Sequence, residues 1–86
     1  MAQWDDYFIS GHGASQQRFN TSNMQTDKDS TLLASICEVD NNNHPMNGTA
    51  TMRIHNIVPL DRGTTVVYVE IIWETDLRAR VRVIKV

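Results

Sequence analysis

Leu77-Arg78-Ala79-Arg80-Val81-Arg82-Val83 alternates apolar and cationic residues without a break, the period-two pattern of a β-strand with one dry face and one wet face. Three runs upstream, residues 31–39, 49–57 and 64–73, are equally rich in Val, Ile, Thr and aromatic residues, and the last run continues over 77–86. Between them lie residues 40–48, residues 59–63 and the short link at Thr75-Asp76, built from Asn, Asp, Pro and Gly, which favour turns. The pattern predicts a mainly β fold: a twisted antiparallel meander of at least four strands over 31–86, with a small barrel or sandwich as its variant.

Residues directly opposite one another in an antiparallel pair share a face, so matching apolar sets restricts the register. Joining Val67, Val69, Ile71 and Trp73 to Leu77, Ala79, Val81 and Val83 predicts a hairpin in which Trp73 pairs with Leu77 around Glu74-Thr75-Asp76. Joining Ala50, Met52 and Ile54 to the same face predicts a six-residue loop over 58–63. The opposite face would then carry the rows Arg53-Tyr68-Arg82, Thr51-Glu70-Arg80, Thr49-Ile72-Arg78 and His55-Val66-Ile84.

The first 30 residues differ in kind. Trp4, Tyr7 and Phe8 stand at i, i+3 and i+4 ahead of Gly11, which predicts a short N-terminal helix, with a strand over 7–10 as the competitor. From Gly11 to Ser30 only Ala14, Phe19 and Met24 are apolar, so this polar stretch reads as loop, or as an additional polar strand.

The chain has 86 residues, the length of a single domain with a thin core that self-association would supplement. No apolar run reaches the ~18 residues of a membrane span, and the N-terminal stretch to Asp6 lacks the basic and apolar regions of an export signal, so a soluble cytoplasmic protein is expected. Cys37, the only cysteine, reads as a small core residue. Residues 1–44 hold six carboxylates against two cations, a net of −4, and residues 45–86 hold six cations against four carboxylates, a net of +2. So small an excess falls short of a nucleic-acid-binding domain, as does the scarcity of lysines interleaved with exposed aromatics.

No constellation carries catalytic, cofactor or metal chemistry. His12, His44 and His55 share no ligand spacing with one another or with Cys37. Residues 40–44 have oxygen side chains but neither the Gly nor the Glu of a calcium loop, and Gly11-His12-Gly13 is too short to cradle a phosphate. What remains is the arginine-bearing face, Arg53, Tyr68, Glu70, Ile72, Arg78, Arg80, Arg82 and Ile84, more apolar than a solvated face needs to be. The expected function is a non-catalytic interaction module that forms a homo-oligomer through this face or through the edge of its last strand. The same arginines could hold an anionic ligand, an acidic protein partner or phosphate. A ligand-binding or enzymatic pocket lined by histidines and aromatics is the alternative of another class.

Overall fold

The computed structural model describes residues 2–86. Six strands follow one another, β1 (Gln3–Gly11), β2 (Gly13–Asn20), β3 (Leu32–Glu38), β4 (Thr51–Leu60), β5 (Thr64–Ile72) and β6 (Leu77–Lys85), with a 3-10 turn at Ser22–Met24. They form two antiparallel three-stranded sheets, a first in the order β1-β6-β3 and a second in the order β2-β5-β4. The mainly β, antiparallel expectation holds. Among the described residues there is no α-helix, and no helix is long and apolar enough to cross a membrane.

The expected meander does not form, because β5 and β6 lie in different sheets. Their odd-numbered apolar faces meet across the interior, where Val67, Val69, Val81 and Val83 join one core with Phe19 and Met24. Two strands with one dry face each can satisfy those faces side by side or face to face, and register arithmetic alone does not separate the two. The β1-to-β2 connection makes the same crossing beside them. β1 pairs with β6 along its whole length, Gly11-His12-Gly13 turns the corner, and β2 pairs with β5. Gly13 stands at φ 75°, in the left-handed region that glycine enters without a Cβ clash. His12 Nδ1 lies 2.6 Å from Asp76 Oδ1, tying the two corners together.

The N-terminal segment is therefore strand β1 and not a helix. The 4-7-8 spacing suits either element, but β6 is buried on one face and needs main-chain partners on both sides, and β1 supplies one of them. The polar stretch after Gly11 contains β2, an edge strand whose bonds come from the backbone and whose only fully buried apolar side chain is Phe19. Its ring stacks on Tyr7 of the opposite sheet at a centroid distance of 4.4 Å. The Tyr7 hydroxyl donates to Asn20 O at 2.8 Å, and burial, aided by the Asp5 carboxylate, pushes its pKa up to about 12.

A β-bulge between Ile54 and Asn56 corrects the other register. Met52 opposes Ile71 before it and Ile57 opposes Val67 after it, so the loop shrinks from six residues to Asp61-Arg62-Gly63. The bulge lets Ile54 and Ile57 both pack against the core.

At the end away from the corner the β2–β3 link docks on this loop. Thr21 Oγ1 lies 2.6 Å from Thr26 Oγ1 and 2.8 Å from Thr65 Oγ1, a buried hydroxyl cluster. Thr21 N donates to Gly63 O and Gly63 N donates to Thr26 O. Lys85 Nζ donates to Met24 O and Gln25 O, fastening the end of β6 to the 3-10 turn. Gly63 has φ 76°, and a Cβ there would stand 2.6 Å from Ser22 Cα. Gly63→Ala is expected to cost roughly 2–4 kcal/mol through backbone strain and overpacking. Gly11→Ala, with open space around it, should cost within about 1 kcal/mol. Urea unfolding of the two variants checks the contrast.

Candidate interaction surface

The outer face of the first sheet is a lattice of three strands in register. From the terminal end toward the corner its rows are Trp4-Ile84-Leu33, Asp6-Arg82-Ser35 and Phe8-Arg80-Cys37, followed by Ser10 beside Arg78. The first row is wholly apolar, and Trp4 at 57%, Leu33 at 56% and Phe8 at 44% are exposed to solvent. The alternation of β6 puts its valines inside and its arginines on this lattice, while Trp4, Asp6 and Phe8 reach it from alternate positions of β1.

Arg82 anchors the lattice. It grips Asp6 with two bonds, Nε to Oδ1 at 2.7 Å and Nη2 to Oδ2 at 3.1 Å, and its guanidinium carbon stands 4.1 Å from the centre of the Trp4 ring. The guanidinium hydrogen bond holds the Asp6 carboxyl below its ordinary 3.8 against the opposing effect of burial, and the same bond raises the Arg82 pKa. Arg78 donates to Asn43 Oδ1. The Nε groups of Arg78 and Arg80 are buried without a partner.

The outer face of the second sheet is different in character. Arg53 opposes Glu70, Tyr68 lies between Gln16 and Asn56, and Ile72 opposes Thr51. Glu70 Oε1 receives His55 Nε2 at 2.8 Å. The eight residues expected on one face are thus split. Arg78, Arg80, Arg82 and Ile84 are brought together on the first sheet, and Arg53, Tyr68, Glu70 and Ile72 lie on the far side of the sandwich. The rows joining Arg53 and Tyr68 to Arg82 do not exist, because β5 and β6 are not neighbours. The same split separates Arg53 from the other three arginines, so a four-arginine grip on phosphate does not assemble. The edge of the last strand is not free either, since β6 is the middle strand of its sheet.

Trp4, Asp6, Phe8, Leu33 and Cys37 were not expected on this surface. The alternation of Trp4, Asp6 and Phe8 against Asp5, Tyr7 and Ile9 was the available signal, obscured by its helical competitor. Cys37 belongs to the lattice, half-buried beside Arg80, rather than to the core.

The histidines do not converge. His12 sits at the corner, His55 on the second sheet, and His44 in the loop where its N–H and that of Asn42 bond to Asp40 Oδ1, holding the Asp40 carboxyl below its usual range. Among the described residues no group of three or more His, Cys, Asp or Glu side chains could hold a metal ion. Among the described residues, the clefts include the following three. One of about 550 Å³ is bordered by Ile72, Trp73, Glu74 and Thr75 at the corner. A second of about 390 Å³ lies between Arg18 and Arg62. The third, of about 330 Å³, lies between Glu38, Asp40 and Asp76. No histidine lines any of them. Comparison with family models, with curated proteins and with solved structures finds no match for this chain.

Because the folded Asp6 carboxyl titrates below 3.8, the stabilisation from its Arg82 pair is complete above that pH and is lost as pH falls through the lower folded value. In a Trp73→Phe background, Trp4 emission is expected to change with a midpoint below pH 3.8 as the guanidinium is released from Asp6. Asp6→Asn should remove that transition at every pH above global unfolding.

Proposed function

We propose that this chain is a non-catalytic assembly module that associates with copies of itself through the outer face of the first sheet. The observation that carries the reading is the apolar row Trp4-Ile84-Leu33, in which Trp4 and Leu33 are exposed around a half-buried Ile84, with exposed Phe8 beside it and three arginines on the same face. Tryptophan, arginine and large apolar side chains are the residues on which binding energy concentrates. Burying Leu, Ile or Phe contributes about 1.5–3 kcal/mol each.

Size and charge support a second copy as the occupant. The molecule measures 36 × 23 × 15 Å, so its broad face is on the order of 800 Å², the area each partner gives to a standard interface. A layer only 15 Å thick has a core of small side chains, and its fully buried apolar residues on β5 and β6 are mostly valines. Covering a second apolar layer would add what that core lacks. The lattice offers cations and aromatic rings together, so two-fold pairing can set the arginines of one copy against Trp4 and Phe8 of the other. Association by strand addition is less favoured. The edge along β1 and β2 carries Asp5 and Asp6 and breaks at the glycine corner, and on the other side edge strand β4 carries Pro59 and a bulge, features by which edges resist pairing.

Light scattering tests the reading. The intact chain is expected to have at least twice the monomer mass at tens of micromolar, Trp4→Ser with Arg80→Glu to be monomeric with its β-sheet spectrum retained, and Ile72→Asp, on the other side, to leave the mass unchanged. Cys37, on the lattice beside Arg80, should react with a maleimide more slowly in the intact chain than in the double variant. A monomeric intact chain, or loss of association on Ile72→Asp alone, would sink the proposal.

A further inference from the structure

The cleft at the end of the second sheet away from the corner has a different chemistry from the assembly face. It holds about 390 Å³ and is lined by Arg18, Phe19, Asn20, Ser22, Arg62 and Thr64, with no carboxylate among them. Arg18 points outward from β2, opposite Val66. Arg62 occupies the middle of the three-residue loop between β4 and β5, at φ 67°. A left-handed conformation is strained for an arginine and persists only where the surroundings impose it. Here they do, because the next residue, Gly63, is bonded through both its N–H and its carbonyl to Thr26 and Thr21. The base of the Arg62 side chain is therefore fixed, and it lines the same opening as Arg18 and Asn20 of β2.

Neither guanidinium makes a hydrogen bond or ion pair among the described residues. This contrasts with Arg82 and Arg78, which both have partners. The nearest acid in sequence, Asp61, directs Oδ1 to the N–H of Lys28 at 3.3 Å. Asn20 uses Oδ1 to accept from Ser22 N at 3.0 Å and Ser22 Oγ at 2.6 Å, which leaves its NH₂ group as the free donor. Thr64 adds a hydroxyl. Two unpaired planar cations and neutral donors around one opening form a set that recognises a doubly charged oxyanion. The volume falls within the range of small-ligand sites and exceeds what a bare anion fills.

We propose that this cleft binds the phosphate group of a small phosphomonoester, with Arg18 and Arg62 as the two anion-gripping residues and Asn20 and Thr64 as supporting donors. The site is independent of the assembly face, which lies on the opposite side of the sandwich.

The test is a titration of the ¹⁵N-labelled chain with inorganic phosphate and, separately, with phenyl phosphate, at constant ionic strength maintained with chloride. Saturable shifts are expected at the amides of Asn20, Ser22, Arg62 and Thr64, with a dissociation constant of roughly millimolar or tighter. Arg18→Gln and Arg62→Gln should each weaken binding roughly tenfold, the loss of one charge-assisted contact. Glu74→Gln and Arg53→Gln, outside the cleft, should leave it unchanged. Tighter binding of phenyl phosphate than of inorganic phosphate supports the phosphomonoester site, and tighter binding of inorganic phosphate would overturn it in favour of the free ion. Absence of saturation up to about 20 mM of both probes would overturn the proposal, as would unchanged affinity in the folded double variant Arg18→Gln, Arg62→Gln.

Discussion

Everything in this molecule depends on one dry layer in which the inward side chains of β5, Val67, Val69 and Ile71, meet those of β6, Ala79, Val81 and Val83, across the space between two sheets. Each of the two strands is the centre of its sheet, so each needs main-chain partners on both sides as well as an apolar partner beneath. The chain meets the first demand by running β1 and β2 alongside β6 and β5 through the same corner. Gly11-His12-Gly13 permits the bend, and the His12–Asp76 contact closes it. Small, β-branched inner residues suit a molecule whose thinnest dimension is 15 Å.

Facing the dry sides inward turns the arginines of β6 and the polar residues of β5 to opposite surfaces. The first sheet consequently gathers cations and large apolar side chains on one lattice, with Arg82 held between Asp6 and Trp4. An isolated exposed cation over an aromatic ring contributes only about 0.5–1 kcal/mol. Its importance here is geometric, since it holds Trp4 beside Arg82 while Trp4 and Leu33 both stay exposed. The second sheet balances its surface differently, pairing Glu70 with His55 and setting Arg53 across from it, and has no comparable apolar row.

The end away from the corner is held by polar chemistry rather than by packing. The Thr21, Thr26 and Thr65 hydroxyls satisfy one another in a dry site, Gly63 carries two main-chain bonds, and Lys85 caps the carbonyls of the 3-10 turn. A satisfied polar network of this kind specifies a single arrangement. It is also what holds Arg62 in its left-handed conformation beside β2, so the rigidity of the junction and the geometry of the cleft have a common origin.

The sequence by itself determined that the chain is mainly β and antiparallel, roughly where its four C-terminal strands run, and which face of β5 and of β6 is dry. These are properties of local periodicity, and Leu77 to Val83 states them without ambiguity. It did not determine which strands are neighbours. The apolar sets of β5 and β6 fit equally well beside or opposite one another, and only the fold as a whole, with β1 and β2 available as edge partners, selects the second. The helical reading of Trp4, Tyr7 and Phe8 failed for the same reason: a 4-7-8 spacing is compatible with two elements, and the unfilled hydrogen bonds of β6 decide between them. β2 was illegible because an edge strand needs few apolar side chains when its bonds come from the backbone. The bulge at His55 left no mark either, since it costs one unpaired residue in an otherwise ordinary strand. Register and strand neighbourhood are non-local, and with them the tertiary structure decided which arginines share a surface.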